Sequence, residues 1–148
     1  MSLKETINND IKTAMKAKDK ETLAVLRMIK TAIQAAEIDK KSDLTPEEEL
    51  TILSREAKQR RDSIVEFEKA GRQELVEKTQ GELAIVEKYL PAQLSLGEVQ
   101  AKIAEIAEQV GATTQKEFGK LMGVVMQALK GQADGNVIKE QVKAHLNK

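Results

Sequence analysis

The chain is predicted to be all-α, with about seven helices in two modules, and three observations carry that expectation. Ala, Leu, Glu, Lys, Gln, Arg and Met, the strong helix formers, make up about 60% of the 148 residues. Apolar residues recur in steps of three and four along most of the chain, the spacing that lines one face of a helix. Ser, Thr or Asp, several followed three residues later by Glu, stand where those patterns begin, as helix caps do.

A first helix starts at Ser2, which has capping-box spacing to Glu5. Leu3, Ile7 and Ile11 follow at every fourth position, and Lys12, Lys16, Lys18 and Lys20 crowd the C-terminal end, where cations suit the helix dipole. Asp19 caps a second helix whose stripe is Leu23, Leu26, Ile29, Ile33 and Ala36, ending near the polar stretch 39–43. Thr45, Pro46 and Glu48 open the third, which continues through Leu50, Leu53, Ala57 and Ile64 to Gly71. A fourth carries Val76, Leu83, Val86 and Leu90 and must stop before Pro91, because proline disfavours the α conformation in the residue before it.

The connector Tyr89-Leu90-Pro91-Ala92-Gln93-Leu94 marks a module boundary, giving an N-terminal module of residues 1–94 and a C-terminal module of residues 95–148. In the second module Ser95 with Glu98 opens a fifth helix closed by Gly111. Thr114 with Glu117 opens a sixth, closed by Gly131, in which Phe118, Met122, Met126 and Leu129 read as core. Asp134-Gly135-Asn136 starts a seventh, whose stripe is Ile138, Val142 and Leu146.

Composition excludes much chemistry. No Cys means no thiolate zinc site, disulfide or cysteine nucleophile, and one His cannot build a multi-histidine metal centre. No metal and no cofactor are expected. The longest nearly apolar stretch, Leu121 to Met126, is far short of the ~20 residues that span a bilayer. The N-terminus lacks the apolar core of a signal peptide. The expectation is a cytoplasmic protein with no membrane contact. Phosphate-loop, His-Glu-x-x-His and Gly-x-Ser-x-Gly motifs are missing. Glu47, Glu48 and Glu49 read as first-turn acids, and His145 as a solvated residue of a last turn.

What remains are surfaces. Net charge is zero, but from Thr113 onward Lys116, Lys120, Lys130, Lys139, Lys143 and Lys148 face only Glu117, Asp134 and Glu140. Gly119 and Gly123 are four apart, which puts both on one helix face, as close helix packing requires. Lys58-Gln59-Arg60-Arg61 is the densest basic cluster. Glu56 precedes Arg60 by four and Asp62 follows Lys58 by four, so local pairing is expected to absorb it, with nucleic-acid or partner contact as the alternatives.

Leu26-Arg27-Met28-Ile29-Lys30, Lys58-Gln59-Arg60-Arg61-Asp62-Ser63, and Gly71-Arg72 followed by Glu87-Lys88-Tyr89-Leu90-Pro91 resemble the YqeY family over the full length. Gly119-Lys120-Leu121-Met122-Gly123-Val124-Val125-Met126, then Lys130-Gly131-Gln132-Ala133 and Asn136, is similar to the tail of GatB, a subunit of tRNA-dependent amidotransferase. The resemblance implies a tail that helps hold tRNA, while a separate domain activates the carboxylate and an amidase subunit releases ammonia. This chain carries neither, nor the amidase's glycine/serine-rich signature, and no catalytic residue is assigned.

Two functions follow as expectations. One is a non-catalytic module that binds tRNA or another structured RNA through Lys120, Lys130, Gln132, Asn136, Lys139 and Lys143, in a locally positive surface where exposed glycines let backbone N–H groups approach phosphate. The other is a protein adaptor that binds an amidotransferase or a translation factor through Arg27 and Lys30, or through the third helix with Lys58, Arg60 and Arg61. An amidotransferase-related carbon–nitrogen ligase activity, with glutamine as amido donor, has only Ser63 beside Arg61, or Lys30, to rest on.

Overall fold

The computed structural model describes residues 2–147; Met1 and Lys148, which the charge count and the module bounds include, lie outside them. The described residues form seven α-helices and no strand. These are α1 (Leu3–Ala17), α2 (Lys20–Lys40), α3 (Pro46–Lys69), α4 (Gln73–Glu87), α5 (Leu96–Val110), α6 (Phe118–Ala128) and α7 (Gly135–Leu146), with a short 3₁₀ turn at Gln115–Glu117.

The helix starts are chemical. Ser2 Oγ accepts from the Glu5 N–H at 3.2 Å, and Asp19 accepts from the Thr22 N–H at 3.1 Å. At α3 and α5 the exchange is reciprocal. Thr45 and Glu48, like Ser95 and Glu98, each satisfy the other's backbone N–H, at 3.2 and 2.9 Å in both boxes. The Lys40 ammonium, together with the Thr45 N–H, holds the Glu48 carboxyl down to about 2.

Internal packing divides the chain into two compact units, one up to Pro91 and one from Ala92. The first unit buries Ile7, Val25, Leu26, Ile29, Ile33, Ile52, Leu53, Ala57, Ile85 and Val86 among α1 to α4. Gly71, with φ +69°, makes the tight reversal between α3 and α4. At the end of α4 the Tyr89 hydroxyl donates to Asp10 of α1.

The second unit closes on Val99, Ile103, Ile106, Leu121, Val125, Leu129, Ile138, Val142 and Leu146. The segment leading into α5 is tied to the turn between α6 and α7. Leu94 N–H donates to the Gln132 carbonyl at 2.8 Å, and Gln93 Nε2 to the Gly131 carbonyl at 2.7 Å.

The sixth helix is shorter than its sequence pattern suggests. Glu117 accepts from the Thr113 N–H at 3.1 Å and from the Thr114 hydroxyl at 3.4 Å, not from the Thr114 N–H; 115–117 wind as a 3₁₀ turn and the α-helix begins at Phe118. At the other end Leu129 has left helical geometry, and the chain turns through Gly131 at φ +77°.

Candidate nucleic-acid interface

α6 turns Leu121 and Val125 into the core, with Phe118 and Met122 half-buried beside them. Its outer face carries Gly119, Lys120, Gly123 and Gln127, all exposed. A Cβ at Gly119 or Gly123 would meet nothing within 4 Å. The expected close helix packing at these glycines is therefore corrected: among the described residues no side chain or backbone lies within 4 Å of where their Cβ atoms would be. Neither has positive φ, and an interior glycine costs about 1 kcal/mol of helix stability relative to alanine.

α7 packs against α6 and meets it, or the turn before it, at both ends of one of its rows. Gly135, Lys139 and Lys143 follow at every fourth position and so line one side of the helix. At one end of the row a Cβ on Gly135 would touch Met126 Cε of α6 at 3.5 Å. At the other, Gln115 Nε2, just before α6, donates to the Lys143 carbonyl at 3.3 Å and to the Asn147 side chain. Lys139, exposed, lies between. On α6 itself Lys120 Nζ donates to the Val110 carbonyl at 3.2 Å, which holds its charge at the end of α5. The N-terminus of α6 has no side-chain cap.

The six sequence candidates thus fall into two groups. Lys120 stands beside Gly119 and Gly123 on α6, and Lys139 and Lys143 are exposed on α7. Lys130 and Gln132, half-buried, lie in the turn beyond α6, roughly 15 Å along the helix from Lys120. The Gln132 carbonyl is spent on Leu94. Asn136 is exposed at the start of α7, but its N–H is taken by the Asp134 carboxylate at 2.7 Å, so that helix terminus carries a negative cap. The exposed glycines here are those of α6, Gly119 and Gly123, whereas Gly131 and Gly135 of the turn are half-buried.

In the first unit the basic cluster is dismantled. Lys58 pairs with Asp62 at 3.0 Å and Arg60 with Glu56 at 2.9 Å, the local pairs that the spacing predicts. Arg60 is also buried, only 5% exposed, so it offers no surface to RNA. Its Nε lies 3.3 Å from Glu82 of α4, and its Nη2 is 3.6 Å from Met28 Sδ of α2. Glu82 and Met28 are invisible as its partners in the sequence because they lie 22 and 32 positions away, although Met28 and Arg60 both fall in the segments that carry the family resemblance. Arg61 is half-buried, and Arg27 is exposed on α2. Lys30 lines a pocket of about 410 Å³ between α1 and α2, beside the Lys4–Glu37 ion pair. Ser63 lines a second pocket with Arg60, and the chain's one histidine, His145, is in the other unit.

A family model described as Yqey-like protein matches residues 4–146. The chain belongs to the YqeY family. Relatives named "altered inheritance of mitochondria protein 41, mitochondrial" match most of it. The protein from Pyrenophora tritici-repentis is 30% identical over 141 residues, which is 90% of this chain and 75% of the relative. That from Kluyveromyces lactis is 38% identical over 104 residues, 68% of this chain and 56% of the relative. A Saccharomyces cerevisiae protein is 30% identical over 125 residues, 80% of this chain and 68% of the relative. These names overturn the cytoplasmic assignment. Lack of cysteine shows only that this chain forms no disulfide of its own, and does not choose a compartment. No helix among the described residues is long and apolar enough to cross a membrane.

Proposed function

We propose that this YqeY-family chain is a non-catalytic RNA-binding accessory, whose second unit holds the backbone of a structured RNA, tRNA foremost, across the outer face of α6. The observation that carries the reading is the exposed, unpacked pair Gly119 and Gly123, with Lys120 beside them on α6 and exposed Lys139 and Lys143 on α7, the helix packed against α6. Absent side chains let a phosphate–sugar backbone approach the helix closely, and the flanking ammonium groups neutralise it. Similarity of this stretch to the GatB tail supports the same reading. With two Phe and one Tyr in the whole chain, and Phe118 packed against the core, bases have little to stack on, so recognition is by shape and backbone. A role beside translation is consistent with relatives named as mitochondrial, since tRNA works in that compartment also.

The test is a titration of folded tRNA at several salt concentrations with the wild type and with Lys139→Ala/Lys143→Ala. Each genuine phosphate contact removed flattens the log-log salt slope by roughly 0.7 to 0.9. Equal slopes in two folded proteins would contradict the surface.

One observation favours a protein adaptor as second reading. α2 buries Val25, Leu26, Ile29 and Ile33 on one side, yet exposes Ala24, Met28, Thr31, Ala35 and Ile38 on the other, at alternating spacings of four and three. Ile38 is 75% exposed, and Arg27 flanks this outward stripe. Crosslinking from α2 to an amidotransferase or a translation factor, resistant to ribonuclease, would favour it over the RNA reading.

A further inference from the structure

We propose that the pocket where α2, α3 and α4 meet binds a small zwitterion of the α-amino acid class with an apolar side chain. The pocket measures about 310 Å³, room for one such molecule, and mixes both signs of charge with an apolar wall. Lys78, exposed, stands at its rim, Glu82 lines it, and Arg60 forms its floor. Met28, Phe67 and Leu75 supply the apolar side.

The floor is where the geometry is least satisfied. Arg60 Nη1 is well engaged by Glu56, through both carboxylate and carbonyl, at 2.9 and 3.1 Å. The rest of the guanidinium is not. Nη2 is aimed at a thioether 3.6 Å away, a weak acceptor. Nε is fully buried and within ion-pair range of Glu82, but no aligned hydrogen bond forms there. A buried charged donor without a good acceptor costs free energy that a better acceptor returns. Met28 is the movable part: it is half-exposed on α2, and its unbranched chain has several rotatable bonds.

These groups sort the ligand. A plain anion reaching Lys78 and Arg60 would lie against the carboxylates of Glu82 and Glu56, and a plain cation reaching Glu82 would lie against the two bases. A molecule with both charges meets neither penalty. Its carboxylate takes Lys78 and, once Met28 swings aside, Arg60 Nη2; its ammonium takes Glu82; its side chain rests on Phe67 and Leu75. Nothing in the RNA reading uses this pocket, which lies within the first unit.

The experiment uses the full chain, isotope-labelled for amide shifts, with L-leucine, N-acetyl-L-leucine and L-leucinamide as probes. L-leucine is expected to give saturable shifts at Ser63, Lys78, Thr79 and Glu82. The two analogues, each missing one charge, bind about tenfold more weakly or worse, and Lys78→Gln, at an exposed position, weakens L-leucine by about the same factor. No shifts with L-leucine at tens of millimolar, equal response to all three probes, or a Lys78→Gln protein that binds as the wild type does would each overturn the proposal.

Discussion

Lys120 Nζ, on the outer face of α6, donates to the carbonyl of Val110, the last residue of α5, at 3.2 Å. A lysine here stabilises a helix C-terminus while keeping its charge beside Gly119 and Gly123. Its substitution therefore mixes two effects. Lys120→Ala is expected to cost up to about 1 kcal/mol of stability, whereas Lys139→Ala and Lys143→Ala stay within about ±0.5 kcal/mol. Chemical denaturation of the three single variants checks the ranking, and a Lys120→Ala protein as stable as the others would contradict it.

Gly123→Ala separates folding from function. Helix propensity makes the variant more stable by about 1 kcal/mol, because the added Cβ meets nothing and the backbone φ is ordinary. RNA affinity should nevertheless fall, and more steeply in Gly123→Leu, as side-chain atoms push the phosphate backbone away. Thermal melts and tRNA titrations on the same samples read both; a stabilised variant that binds tRNA as the wild type does would remove the glycines from the interface.

Arg60 tests the first unit. Arg60→Ala leaves Glu56 and Glu82, both mostly buried, without their cation, at a cost of about 3 kcal/mol. Replacing all three, as Arg60→Met with Glu56→Leu and Glu82→Leu, should recover most of that loss, since it is the orphaned charges that are costly. A triple variant no more stable than Arg60→Ala would show that the cluster acts through shape rather than charge.

Tyr89 gives the pH dependence an unshared probe, because the chain has one Tyr and no Trp. Burial, then the hydrogen bond to Asp10, push its hydroxyl above the ordinary value of 10.0. A folded-state pKa raised above the unfolded one means that the contribution is whole below pH 10 and is lost as pH rises toward the folded value. Tyrosinate absorbance should rise later in the native protein than in denaturant. Coincident titrations would show that the Asp10 contact is not kept in solution.

Local signals made most of the fold legible. Ser2, Asp19, Thr45, Ser95 and Asp134 cap helices where the sequence places caps, since a cap and its N–H partner are two or three residues apart. Glu117 misled, because a carboxylate one turn into a helix can accept from either of two backbone donors and spacing does not choose between them. Tertiary direction was out of reach. Helical periodicity puts Gly119 and Gly123 on one face but does not say that the face is bare. It puts Arg60 four residues from Glu56, but its burial depends on Met28 and Glu82, brought in by two other helices.

The central claim, that RNA lies on the outer face of α6, is tested most directly by mapping backbone amide shifts as folded tRNA is added at low salt. The account predicts the largest changes at Gly119, Lys120, Gly123 and Gln127, smaller ones at Lys139 and Lys143, and loss of all of them as salt rises. Changes confined to residues 2–91, or none at a tRNA concentration that saturates binding, would contradict it.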